Sequence, residues 1–452
     1  MTITRFDDSL PTLVSSLTAT LGAEALQRGV VLRDAVGRLS FFAGRDAPIR
    51  MGDLAAARQA LRAALGVYAT PDPDRVVVAP SDLGSANVLD DDGALTVDVD
   101  GHLIRLVDRR IVGADWLRPP VAVSEGPPRF VFMSIKGGVG RSTALAVVAS
   151  HLASRGKRVL VIDLDLEAPG VGPILLEPDA IPPFGVLDAL LELNLGPLDD
   201  LFISDLVGAS ALEGQLGRID VAPAFGRRSL DNPADVLGKL ARAYTEQVAS
   251  DGTVSTLLDK VRTLVARLAP ADDYDVVLVD ARAGLNESSA ASILGLGADV
   301  LLFATDERQS FEGYAALLAH LARFVVPGQP RPEWLERLTV VHAKAPVDAG
   351  ARAGFIDRWR TLVDARVPHE PGRVVPAVAA PATFDNPGWN SEATVDDLVA
   401  AEATLLEPLV VLKDDNFAGF DPLTRRDLAS EPVYRATFGS LIDWFESALG
   451  VR

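Results

Sequence analysis

Arg129-Phe-Val-Phe-Met-Ser-Ile-Lys-Gly-Gly-Val-Gly-Arg-Ser-Thr-Ala144 is the stretch on which the fold turns. Phe130 to Ile135 is a short, apolar, β-prone run, the pattern of a strand buried on both faces of a parallel sheet. Gly137, Gly138 and Gly140 follow, with Val139 between them. From Ser142 to Leu152 the chain is rich in Ala, Leu and Val and reads as a helix packed on that sheet. Strand, glycine loop and helix in this order make an anion cradle. Glycines let successive N–H groups turn inward, and the helix N-terminus adds the positive end of its dipole. Ser142 and Thr143 open the helix, and the Ser142 hydroxyl stands where such a loop holds Mg²⁺.

Two further stretches have matching strand ends. Lys157-Arg-Val-Leu-Val-Ile-Asp-Leu-Asp-Leu-Glu-Ala-Pro-Gly170 reads as a buried strand ending in Asp163, Asp165 and Glu167. Open α/β sheets bind ligands outside the carboxyl ends of their strands. Acids there, beside a phosphate chain, suit Mg²⁺ and its retained waters. Asp275-Val-Val-Leu-Val-Asp-Ala-Arg-Ala-Gly284 is a second apolar run, ending in Asp280, with Gly284 four places on. Later strands are expected over 298–306 and 338–346, with a helix over 309–324 between them.

In the ordinary P-loop pattern, G-x-x-x-x-G-K-[ST], the loop Lys falls at Arg141, and a Lys stands early instead, at Lys136. This resembles the Walker A variant K-G-G-x-G-K-[ST] of the ParA/MinD-type ATPases, in the subgroup whose loop ends in Gly-Arg. The likeness spans roughly residues 128–378. The V-I-D-x-D run at 161–165 resembles their switch I, and D-x-x-A-G at 280–284 their Walker B and switch II, with Arg282 in place of the usual Pro.

The resemblance implies a mostly parallel P-loop NTPase sheet flanked by helices. It implies ATP, with GTP still open, cradled by Gly137, Gly138, Val139, Gly140, Arg141, Ser142 and Thr143. Mg²⁺ would be held at Ser142, Asp163 and Asp280, and Asp165 would orient the attacking water. The Gly284 amide would face the γ-phosphate, and His342 aligns with an Asn that contacts adenine. Lys136 and Arg141 would be the catalytic cations, Lys136 acting across a nucleotide-dependent homodimer. Arginine at 141 is a planar fork and not a compact ammonium, so slow ATP hydrolysis is expected. The function implied is a nucleotide switch that controls an unknown protein partner. The alternatives are a non-hydrolysing nucleotide-binding scaffold and a DNA- or cargo-partitioning ATPase.

The rest of the chain bounds this reading. Its 452 residues suggest two or three domains. Pro-rich residues 118–128 read as a linker between a smaller N-terminal α+β domain, 1–117, and an ATPase-like domain, 129–452. In the first domain a helix is expected over 10–26, a hairpin over 30–43, a helix capped by Asp53, and a final strand pair around 102–112. Arg105, Asp108, Arg109 and Arg110 read as a solvated face with local ion pairs. This domain is the candidate for partner recognition. Helices are expected over 231–246, 255–268, 394–411 and 431–449. The last carries apolar residues at helical spacing with Asp443 and Glu446 on its polar side, which favours docking on the protein's own core over a membrane. There is no cysteine, and the five histidines lack zinc-ligand spacing. A net charge of −19 argues against nucleic-acid binding by bulk electrostatics. No apolar run has the length of a membrane span and the start is unlike a signal peptide, so a cytoplasmic location is expected.

Overall fold

The computed structural model describes residues 4–47, 49, 51–82, 85–110, 112–212, 216–248, 254–326, 330–367 and 405–451. They fall into two compact units, Met1–Pro119 and Pro120–Arg452.

The first unit is a mixed sheet with helices. Its strands are β1 (Val30–Arg33), β2 (Leu39–Phe42), β3 (Val77–Val78), β4 (Leu95–Val99) and β5 (His102–Asp108), in the order β3-β2-β1-β5-β4. β1 and β2 form the expected antiparallel pair. Helix α1 (Phe6–Leu21) buries Leu10, Leu13, Val14 and Leu17, a 3.6-residue stripe. It ends earlier than the 10–26 pattern suggested, because Gly22 takes a left-handed φ of 85° and starts a separate short helix. Helix α2 (Met51–Leu65) begins before Asp53, which lies in its first turn instead of capping it. Arg109 pairs with Asp91 at 2.6 Å and Arg110 with Asp108 at 2.8 Å, and Arg105 donates to the Leu89 carbonyl. The arginine cluster is thus engaged in local contacts.

The second unit is built on an eight-stranded sheet. Its strands are β6 (Arg129–Ser134), β7 (Arg158–Asp163), β8 (Gly208–Ala209), β9 (Arg218–Ala222), β10 (Val276–Asp280), β11 (Asp299–Ala304), β12 (Leu338–Ala345) and β13 (Leu409–Leu412). The order is β13-β12-β11-β6-β10-β7-β9-β8. Neighbours run parallel, apart from the antiparallel β8–β9 edge. This is the mostly parallel sheet expected from the sequence. Strands β6 and β10 are buried end to end and β7 from Val159 on, as a sheet covered on both faces requires. Its helices include α3 (Arg141–Ser154), α4 (Leu257–Leu268), α5 (Glu287–Gly295), α6 (Arg308–Leu321), α7 (Ala349–Arg366) and α8 (Glu431–Ala448).

Register positions the chemistry. Asp280 lies opposite Asp163 on one side and Phe132 on the other. Both strand-end acids therefore emerge in one row, at the edge where β6 runs into its glycine loop.

Two expectations fail here. The helix over 231–246 is interrupted, because Pro233 follows Asn232 and the regular helix spans only Val236–Ala243. Most of the helix expected over 394–411 lies outside the described residues. Its last part is strand β13, which pairs with β12. A four-residue run of Leu and Val is helix-compatible by composition, but the sheet edge beside it decides for strand.

Helix α8 docks on the core of its own unit. Tyr434, Phe438, Leu441, Ile442 and Phe445 are buried there with α3 residues. The Phe445 ring meets Phe130 at 4.8 Å, edge-on, and Phe132 at 5.9 Å, stacked. Fully buried His151 of α3 joins Tyr434 Oη at 2.9 Å and Glu446 at 3.0 Å. Burial depresses its pKa, with Glu446 opposing. Among the described residues no helix is long and apolar enough to cross a membrane.

Candidate functional site

Strand β6 stops at Ser134, and the chain turns through Gly138 (φ 72°) and Gly140 (φ 92°) into α3. A Cβ is strained in that region, so these two positions call for glycine. The turn forms one wall of a cavity of about 490 Å³. Gly137, Gly138, Val139, Gly140, Arg141, Ser142 and Thr143 all line it, as do Ser134, Asp165, Ala168 and Ala283.

Arg141 is the centre of the polar network. It is 7% exposed. Its Nε donates to Asp280 Oδ1 at 2.5 Å, Nη2 to Asp165 Oδ2 at 2.9 Å and Nη1 to Ser134 Oγ at 3.4 Å. Burial opposes its charge, but Asp280 and Asp165 outweigh burial and hold its pKa above the usual value. Ser142 Oγ donates to the other Asp280 oxygen at 2.6 Å. Burial raises the Asp280 pKa, against the pull of Arg141 and Ser142.

Asp163 does something different. Oδ1 accepts from the Asp165 amide at 3.0 Å, and Oδ2 from the Gly170 and Val171 amides at 3.2 Å each. It shapes the loop after β7 from inside. Full burial and then the Asp280 charge push its pKa up to about 8, while those amide bonds pull the other way. The paired hard oxygens of Ser142 and Asp280 suit Mg²⁺, which prefers oxygen ligands and keeps waters. Asp163 stands behind them, its oxygens engaged by amides.

Residues 130–321 match the model of the CobQ/CobB/MinD/ParA nucleotide binding domain. This segment has a P-loop NTPase-like fold and is similar to nucleotide-binding domains of the ParA/MinD type. The chromosome-partitioning ATPase Soj of Thermus thermophilus is 26% identical over 241 residues, which are 52% of this chain and 80% of Soj. Among solved structures, a ParA family ATPase from Chlorobium tepidum TLS is 16% identical, over 71% of this chain and 98% of its own, with a TM-score of 0.40. Cobyrinic acid a,c-diamide synthase from Mycobacterium smegmatis, with bound ATP analog and magnesium, is 20% identical, over 53% and 82%, with a TM-score of 0.36.

Three more residues of the expected ATPase site have other surroundings. Lys136 is partly exposed and pairs with Glu307. The Gly284 amide donates to the Ser134 carbonyl at 2.8 Å, with Gly284 at φ 91°. His342 is buried, stacked on Phe355 with centroids 3.8 Å apart, and bonded to Asp306 at 3.2 Å. It is not among the residues lining the cavity. Burial lowers its pKa, with Asp306 opposing.

Sequence reasoning missed the far wall. Lys344, Lys413, Asp415 and Phe417 line it, together with Thr437 and Phe438 of α8. Lys344 takes a left-handed φ of 53° where the β12–β13 register shifts, a conformation that few non-glycine residues adopt. The readable signal was the turn-forming run Lys413-Asp-Asp-Asn-Phe417 directly after an apolar stretch.

Proposed function

We propose that this chain is an ATP-binding, slowly ATP-hydrolysing switch that dimerises with nucleotide and controls a partner protein complex. The observation that carries the reading is the grouping of Arg141, Ser142, Asp165 and Asp280 around a glycine turn, inside a segment that matches a nucleotide-binding domain. Ser142 and Asp280 would hold Mg²⁺, with Asp163 supporting the loop behind them. The metal would neutralise charge on the transferring phosphoryl group. The glycine-turn amides bind the phosphate chain, Arg141 balances its charge and Asp165 orients water.

The geometry of Arg141 supports slow turnover. Its fork is committed to two carboxylates, and phosphate binding has to draw it away from at least one. The loop sequence Lys136-Gly-Gly-Val-Gly-Arg141 supports assignment to the Gly-Arg subgroup. Lys136 is the proposed cation acting in the partner copy. Its ion pair with Glu307 is between exposed groups, and such pairs are worth about 0–1 kcal/mol, so it is readily exchanged. Residues 1–117 are the proposed recognition unit and the cytoplasm the proposed location. Chromosome partitioning, as the name of Soj suggests, is the second biological setting, and the net charge of −19 weighs against direct DNA binding there.

Lys136→Ala separates the roles. Nucleotide affinity is expected to stay within about threefold, since an exposed ion pair of this kind is weak, while the dimer formed with a non-hydrolysable ATP analogue disappears from light scattering. An unchanged dimer would remove Lys136 from the interface.

A further inference from the structure

Glu167 lies two residues beyond Asp165, and Arg282 two residues beyond Asp280. Their side chains meet. Arg282 Nη1 donates to Glu167 Oε1 at 2.7 Å, and the Tyr244 hydroxyl donates to the same oxygen at 2.7 Å. One carboxylate oxygen thus joins the loop after β7, the loop after β10 and the end of the helix Val236–Ala243. The mounts of all three are pinned. Ser289 Oγ donates to the Arg282 and Gly284 carbonyls at 3.1 and 2.6 Å. The Asp165 carboxylate accepts from the Ala168 amide at 3.3 Å. Buried Lys260 donates to the Ala243 and Thr245 carbonyls on either side of Tyr244, at 2.5 and 3.0 Å. The side chains, not the backbones, are the parts free to exchange.

The chain neighbours of the pair, Ala168 and Ala283, line the P-loop cavity beside Asp165 and Ser134. Glu167 and Arg282 are thus chain neighbours of cavity-lining residues and are not themselves among the lining residues. Its ion pair is partly solvated, with side chains 35% and 26% exposed. A carboxylate competing with water for a guanidinium is a weak partner, and a doubly charged phosphate is a stronger, two-pronged one.

We propose that Glu167 is a positioning residue that holds the Arg282 guanidinium beside the cavity and yields it to the terminal phosphate of a bound nucleoside triphosphate, leaving Tyr244 as its remaining partner. This rests on the nucleotide-binding reading above. A diphosphate lacks the terminal group and leaves the pair closed.

The test is calorimetry on the full chain with Mg·ADP and with a magnesium-bound non-hydrolysable ATP analogue. Arg282→Ala is expected to weaken the triphosphate analogue about tenfold, the effect of one charged hydrogen-bonding partner, and to leave ADP within about twofold. Glu167→Gln frees Arg282 and is expected to tighten the analogue alone. Arg282→Lys restores part of the loss. Equal effects on both nucleotides, or none, overturn the proposal, and thermal unfolding of each variant identifies a loss that comes from misfolding. A parent chain that binds neither nucleotide is a separate result, and it overturns the nucleotide-binding reading itself.

Discussion

Arg141→Ala is expected to lower the stability of the second unit by about 3–5 kcal/mol, the range for deleting one partner of a buried charge pair. Asp280 is fully buried and Asp165 nearly so, and the guanidinium is the cation bonded to both. Without it the carboxylates are left to face each other and Asp163. Asp280 and Asp163 can escape by taking up protons, which gives the loss a pH signature. A carboxyl whose pKa is higher folded than unfolded adds stability that is complete below the unfolded value, near 4, and is lost as pH rises through the folded value. Asp163 is already pushed up to about 8, and Asp280 is raised. The deficit of Arg141→Ala should therefore be larger at pH 8 than at pH 5, read from denaturant midpoints at each pH. Arg141→Lys keeps a charge in place as a single point, and is expected to recover most of the stability and to hydrolyse ATP faster than the parent chain. A pH-independent deficit would contradict the electrostatic account, and equal turnover would contradict the slow-turnover account.

Phe445→Ala is expected to cost about 3–5 kcal/mol, as large-to-small changes at fully buried aromatic positions do. The ring fills the space between α8 and the start of β6, against Phe130 and Phe132. Its removal reaches the site through one more link. Helix α8 carries Thr437 and Phe438 into the P-loop cavity, so a loosened helix widens the far wall. Chemical denaturation reads the first effect and nucleotide affinity the second. A cost under about 1 kcal/mol would mean that the helix end packs far more loosely than its burial implies.

The elements of the candidate site were legible where they are local. The glycine turn at 137, 138 and 140 and the acids ending apolar runs at 163 and 280 can be picked out within a few residues. Parallel register then brings Asp163 and Asp280 side by side. What was not legible depends on distant pairing. The far wall exists because β13 joins β12 from beyond residues 368–404, and a short apolar run does not announce its partner. His342 reads as a strand-end contact, but the register shift after it carries Lys344 to the cavity and leaves His342 on Phe355. The departure at Arg282 was visible as an oddity. Its meaning lies in Glu167, 115 residues away in sequence.

The most direct measurement is calorimetry of the full chain with millimolar Mg·ATP and Mg·GTP, alongside thermal unfolding. The account predicts saturable heat from one site per chain and a raised unfolding midpoint, because a ligand that binds only the folded state stabilises it by mass action. No heat and no thermal protection with either nucleotide would contradict it.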